Sequence, residues 1–313
     1  KAKVAKINQE LAGLFTAFSQ KLLVEENDQY IELKTEGDFD GLPEEFKNAA
    51  IAEAKERNLS VLGCIGNTRS SIEPFLTFSN KRNLREEAFD IFVKRGDNKN
   101  ENDTNETLVS ILKLRAEKAA ILGFANFAEW SLSNKMAKDP QKTLDLMNSV
   151  WKPAVEKVKN DVAAMQETVN NEGGDFRIQP WDYRFYAEKV RKAKYDLDQN
   201  EIKQYLQLEN LREGMFWTAG ELFDLGFKQL FDVPVYHSDV RVWEVNNKNT
   251  GEPIGLWYFD PYARIGKRSG AWMNSHREQQ KIKENVLPIV SNNCNFIKGN
   301  SDEPVLISWD DAT

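Results

Sequence analysis

The sequence predicts a mainly α-helical fold with a small β-sheet towards the C-terminus. Three observations carry this: an apolar stripe of helical period near the start, a longer seam of alternating three- and four-residue spacings after Asp139-Pro140, and a change to two-residue alternation after Val233-Pro234. A chain of 313 residues, 41% hydrophobic and 29% charged, is long enough to bury one large core or two ordinary ones.

Ile7, Leu11, Leu14, Phe15, Phe18 and Leu22 lie on one face of a helix of about five turns. Pro43 with Glu44 and Glu45 marks the first turn of a second helix, which the Ala-rich stretch to Arg57 continues until Asn58. Gly63, Gly66 and Pro74 punctuate a less regular segment before helical character resumes in the charged run Lys81 to Glu87. Residues 1–95 therefore read as an N-terminal helical region. Residues 96–107, GDNKNENDTNET, lack periodicity and read as a polar loop or mobile connection at a subdomain boundary. The glycosylation patterns at Asn102 and Asn105 are matches that an Asn-rich loop produces by chance.

Residues 108–233 read as a long-helix region. Asp139 caps a helix with Pro140 in its first turn, and Leu144, Met147, Trp151, Val155, Val158, Val162 and Met165 form a coiled-coil-like seam ending near Gly173-Gly174. Trp151 and Val155 are expected to face a neighbouring helix. Asp198 with Glu201 reads as a capping box, and Gly226 as the stop for the helix carrying Met215, Ala219, Leu222 and Phe223. In 234–313, DVRVWEV and PIGLWYFD alternate around NNKNTGE, a hairpin signal, and Val305 to Ile307 is expected to add a strand.

The formal charge of −7 is spread over mixed acidic and basic residues, without the one-sided basic surface that phosphate neutralisation requires, so nucleic acid is not an expected partner. No run is apolar over the length of a membrane span. The chain starts at Lys1, already close to a helical pattern, so the true N-terminus is expected to be missing and the compartment stays open between cytoplasm and periplasm. Cys64 and Cys294 are too few and too far apart for a disulfide framework or a metal knuckle and read as buried free thiols. His237 and His276 lack the i, i+4 spacing that sets two imidazoles on one helical face, so this chain alone is expected to bind no metal. No G-x-S-x-G elbow occurs, and Gly266-Lys267-Arg268-Ser269 lacks the earlier glycine of a phosphate loop. Residue chemistry alone yields a helical protein with no visible active site.

Three segments nevertheless resemble one family. They are LRAEKAAILGFANFAEWSLSNKMAKDP (Leu114 to Pro140), PWDYRFYAEKVRKAKYDLDQNEIKQYLQLENLREGMF (Pro180 to Phe216), and PVYHSDVRVWEV with GLWYFDPYARIGKRSGAWM (Pro234 to Met273). They are similar to zinc peptidases of the thimet-oligopeptidase family, the last more to its peptidyl-dipeptidase branch. The resemblance implies one half of a long-helix clamshell, and a zinc-dependent intact protein that hydrolyses short unfolded peptides and releases C-terminal dipeptides. PVLISWDDAT resembles the strand that leads into the family's H-E-x-x-H helix, so the metal and catalytic residues are expected beyond Thr313 and none is carried over to this chain. As a fragment it is expected to be inactive alone, and to associate with the complementary C-terminal part or with itself. The substrate-binding candidates are Tyr262, Arg264, Lys267, Arg268 and Trp272, because a glycine-containing basic turn after a strand can present donors to a peptide carboxylate. The alternative reading is a non-catalytic helical peptide-binding or scaffold module without the metal site.

Overall fold

The computed structural model describes residues 1–195, 199–298 and 304–312. Among these, the elements in chain order are α1 (Ala2–Asp28), β1 (Tyr30–Leu33), α2 (Glu44–Glu56), β2 (Gly63–Gly66), α3 (Arg69–Phe78), α4 (Arg82–Val93), α5 (Asn105–Ile121), α6 (Phe127–Leu132), α7 (Pro140–Asn171), α8 (Tyr183–Tyr195), α9 (Gln199–Lys203), α10 (Leu208–Phe223), β3 (Leu225–Leu230), β4 (Arg241–Asn247), β5 (Pro253–Tyr262), β6 (Trp272–Arg277), β7 (Ile289–Phe296) and α11 (Trp309–Ala312). The fold is mainly α with a small sheet, as the periodicities predict. The chain divides into two compact units that are not contiguous in sequence: Lys1–Ile31 with Lys81–Lys194, and Glu32–Asn80 with Tyr195–Thr313.

The first unit is helical. Ile7 and Leu11 of α1 pack on Ile111 of α5, with Leu14 and Leu114 beside them, whereas Phe15 stays on the surface under the Arg115 guanidinium. The apolar stripe of α1 is thus buried only along part of its width. The stretch after α4 is anchored: the buried Glu25 carboxylate accepts from the Gly96 N–H and, at 2.9 Å each, from Asn98 and Asn100 Nδ2. It is also shorter than expected, because α5 already begins at Asn105, one residue after Thr104. Asn105 and Glu106 carry no apolar period, so their helical state is not visible in the pattern.

Helix α7 starts as its cap predicts, with Asp139 Oδ1 accepting from the Gln141 N–H at 2.7 Å and Pro140 in the first turn. Its C-terminal end buries Met165 and Val169 against Phe185 and Tyr186 of α8. The seam before that is different. Met147 is 60% and Trp151 67% exposed, so the neighbouring helix expected opposite Trp151 and Val155 is not found among the described residues. Period selects which face of a helix is apolar, but only tertiary packing decides whether that face is covered.

In the second unit, the segment punctuated by Gly63, Gly66 and Pro74 is ordered as β2 and α3, and β1 pairs with β2. Helix α2 follows Pro43, buries Phe46, Ala50 and Ala54, and ends before Asn58, whose φ of 56° is left-handed. The larger sheet has five strands in the order β3-β4-β5-β7-β6. All neighbours are antiparallel except β5 and β7. The expected hairpin is β4–β5, with Trp243 directly opposite Trp257 and their rings 5.2 Å apart. Leu208, Trp243, Trp257, Phe259 and Ile307 form the core, and Phe216 of α10 stacks on Phe227 at 4.1 Å.

Two local expectations need correcting. Helix α10 ends at Asp224, whose φ of 54° is left-handed, and Gly226 lies in β3. A Cβ at Gly226 would come within 2.3 Å of Asn246 Oδ1, so the end of that side chain would have to move aside. Val305 to Ile307 forms only an isolated bridge, Gln207 with Leu306, rather than a strand. Its hydrogen bonds are Leu208 N–H to Val305 O at 2.9 Å and Ile307 N–H to Leu206 O at 3.0 Å. Asp198, assigned to a capping box, lies outside the described residues.

Candidate functional site: a locked basic turn before an edge strand

Strand β5 brings Asp260 into the second unit almost fully buried, at 1% exposure, and the chain then turns through residues 263–271 into β6. Arg264 grips the carboxylate with two parallel bonds, Nη1 to Oδ1 at 2.7 Å and Nη2 to Oδ2 at 2.9 Å. The buried Lys267 Nζ donates to Asp260 Oδ1 at 2.9 Å, to Asp260 O at 3.0 Å and to Tyr262 O at 2.8 Å. On the other side, Tyr236 Oη lies 3.1 Å from Asp260 Oδ2 and 3.3 Å from Asn293 Oδ1. Burial raises the Asp260 pKa, but bonds from Arg264 and Lys267 and their charges outweigh it and hold the carboxyl below its ordinary range. Burial, followed by the Asp260 charge, pushes the Tyr236 phenol up to about 12.

The far end of the turn is tied as well: Asn295 Nδ2 donates to Arg268 O at 2.9 Å and to Gly270 O. Arg268 is exposed, with its guanidinium 4.7 Å from the centroid of the half-buried Trp272 ring. Tyr262 packs on the aromatic core. The five residues picked from sequence are thus distributed by the fold: Arg264 and Lys267 turn inward to Asp260, Tyr262 joins the core, and Arg268 with Trp272 is displayed. Asp260, Tyr236 and Asn293 escaped the sequence reading. The i, i+4 spacing of Asp260 and Arg264 was the one visible signal, since the other partners meet only through strand register. Strand β6 pairs with β7 alone among the described residues and is mostly exposed, so it is a sheet edge.

The histidines are employed elsewhere. His237 Nδ1 accepts from the Asp239 N–H at 3.2 Å, and His276 Nε2 lies 3.0 Å from Ser291 Oγ. Among the described residues no group of three or more His, Cys, Asp or Glu could hold a metal ion. The described residues therefore do not fit a zinc site. Burial, then the charge of Glu53, pushes the Cys64 thiol up to about 12, and burial also raises Cys294, which removes both as thiolate nucleophiles near neutral pH. Among the described residues no helix is long and apolar enough to cross a membrane.

A mainly helical chain with a mixed sheet, a locked basic turn and an open strand edge finds its counterparts among the peptidases. The chain belongs to Peptidase family M3, whose model matches residues 75–313. M3 peptidases are zinc metallopeptidases, in agreement with the resemblance carried by the three quoted segments. The chain is 36% identical over 313 residues to the dipeptidyl carboxypeptidase of Escherichia coli, a match covering 100% of this chain and 46% of that protein. It is 31% identical over 283 residues to oligopeptidase A of the same organism, with 88% and 41% covered. A probable cytosolic oligopeptidase A of Arabidopsis thaliana is 32% identical over 323 residues, with 97% and 45% covered. The chain spans about half the length of the curated relatives it matches.

Proposed function

We propose that this chain is part of a longer zinc-dependent oligopeptidase that hydrolyses short, unfolded peptides and releases dipeptides from their C-termini. The observation that carries this reading is the match along the whole chain, at 36% identity, to a dipeptidyl carboxypeptidase. In the longer protein, zinc would polarise the scissile carbonyl and its attacking water. The residues of this chain would hold the peptide. An extended peptide can pair with the free edge of β6, whose outward backbone groups are a template for a further strand. Arg268 over Trp272 stands at the head of that edge as a donor for a peptide carboxylate.

The chain by itself is inactive in this reading, because its two histidines lack metal-binding spacing and no third ligand converges on either among the described residues. Its exposed apolar faces, Met147 and Trp151 on α7 and Trp217, Leu222 and Phe223 on α10, are covered in the longer protein by the remainder of that protein. A non-catalytic peptide-binding module is the second reading, favoured by the lack of a metal-holding group among the described residues.

Both readings are tested by incubating the longer protein, and this chain separately, with a peptide free acid and its C-terminal amide, and analysing products by mass spectrometry. Chelator-sensitive release of C-terminal dipeptides by the longer protein, with none from this chain, is the expected result. Absence of cleavage with retained peptide binding would favour the module, and internal cleavage alone would overturn the dipeptide assignment.

A further inference from the structure

We propose that Asp260 is a positioning residue that sets where the edge strand β6 begins and hence how it meets a peptide. The inference rests on the reading of β6 as the peptide-holding edge and adds a residue that touches no substrate.

Strand register supplies the first observation. Asp260 of β5 is opposite Asn293 of β7, and Asn293 is opposite Trp272 of β6, so the three form one row across the sheet. Side chains join that row. The single Tyr236 hydroxyl proton is shared between Asp260 Oδ2 at 3.1 Å and Asn293 Oδ1 at 3.3 Å, and Asn293 Nδ2 donates to the Trp272 carbonyl at 3.3 Å. The buried carboxylate is thereby linked, through two side chains, to the first backbone carbonyl of the edge strand.

The second observation is independent and comes along the chain. Arg264 and Lys267, both within the turn that feeds β6, are held by the same carboxylate, and Lys267 also closes on the carbonyls of Asp260 and Tyr262. Asn295 fixes the end of the turn at Arg268 and Gly270. One side chain therefore anchors the start of β6 both across the sheet and through the preceding turn. A buried, fully bonded hub has few alternative arrangements, whereas a neutral amide in its place would leave two cations competing for one oxygen. The turn and Trp272 would then drift. Pairing with an extended peptide depends on the edge being held to within a fraction of an ångström.

The test compares a peptide substrate with an analogue N-methylated at alternate amides, which cannot pair with a strand. Affinity is read in the longer protein without zinc by fluorescence anisotropy, and KM and kcat are read with zinc. The wild type should bind the parent peptide about 10-fold or more tightly than the analogue, the equivalent of one or two backbone hydrogen bonds. In Asp260→Asn this preference should fall towards unity, with KM for the parent rising about as much and kcat changing less. Lys267→Met, which cuts the turn link but leaves the carboxylate, should move the preference in the same direction and serves if Asp260→Asn does not fold. Asp182→Asn, which disturbs a buried ion cluster in the other unit, is the stability control and should keep the wild-type preference. The proposal is overturned if Asp260→Asn and Lys267→Met keep the full preference, or if Asp182→Asn loses it equally. A wild type that hydrolyses peptides but does not discriminate against the analogue would instead overturn the assignment of β6, leaving peptide hydrolysis itself intact.

Discussion

Removing the Asp182 carboxylate should be among the most destabilising single changes in the first unit. Asp182 is 0% exposed and accepts from Arg82 Nη2 at 2.8 Å and Arg85 Nη2 at 2.9 Å, with the Gln179 N–H a further donor at 3.1 Å. Arg85 is itself 2% exposed, with its guanidinium 4.1 Å from the Phe185 ring centroid. Burial lowers the Arg85 pKa, and the bond and charge of Asp182 oppose that shift. In Asp182→Ala the Arg85 charge stays buried without its carboxylate, a loss worth about 3–5 kcal/mol. Arg82 adds little, since its side chain is 35% exposed and water screens it. A loss of that size is a large fraction of the total for a folded domain, about 5–15 kcal/mol. Asp182→Leu with Arg85→Met removes both buried charges and should recover much of the stability. The assay is urea unfolding followed by near-UV circular dichroism, which reports on the neighbouring Trp181, with Asp182→Leu, Arg85→Met and their combination forming a double-mutant cycle beside Asp182→Ala. A midpoint for Asp182→Ala within about 1 kcal/mol of wild type, at unchanged slope, would refute the reasoning.

Two further outcomes follow from the same geometry. Because Asp260 has its folded-state pKa depressed below the unfolded value of about 3.9, its contribution is fully present above that value and lost as pH falls through the folded pKa. Acid unfolding of wild type and Asp260→Asn should therefore diverge above pH 4 and converge below it; parallel curves throughout would contradict the ionised hub. Along α7, Val169→Asp should cost several kcal/mol because Val169 is 0% exposed, while Val158→Asp, at a position 46% exposed, should cost well under about 1 kcal/mol in this chain. Equal thermal midpoints for the two variants would show that the burial along this helix is misassigned.

Much of the local architecture was legible because its causes are local. Asp139-Pro140 starts α7 through a side-chain cap and a residue without an N–H, and the alternation around NNKNTGE makes β4 and β5 a hairpin with its tryptophans on one face. The family motifs were equally readable, since they are runs of adjacent residues, and so was the lack of a histidine pair at metal-binding spacing. What tertiary structure alone decided involves residues distant along the chain. Glu25 anchors the stretch from Gly96 across 71 positions, and a segment read as part of an N-terminal region, 32–80, belongs to the same unit as the sheet. The apolar seam of α7 was visible residue by residue, yet whether Trp151 is covered depends on what else is near. Likewise Arg264 and Lys267 were noticed as donors, but their engagement by Asp260, and the row from Asp260 through Asn293 to Trp272, exist only once β7 inserts between β5 and β6. Periodicity and capping act within a few residues of chain, whereas strand order and burial are settled by non-local packing, and no local pattern encodes which distant strand will be the neighbour.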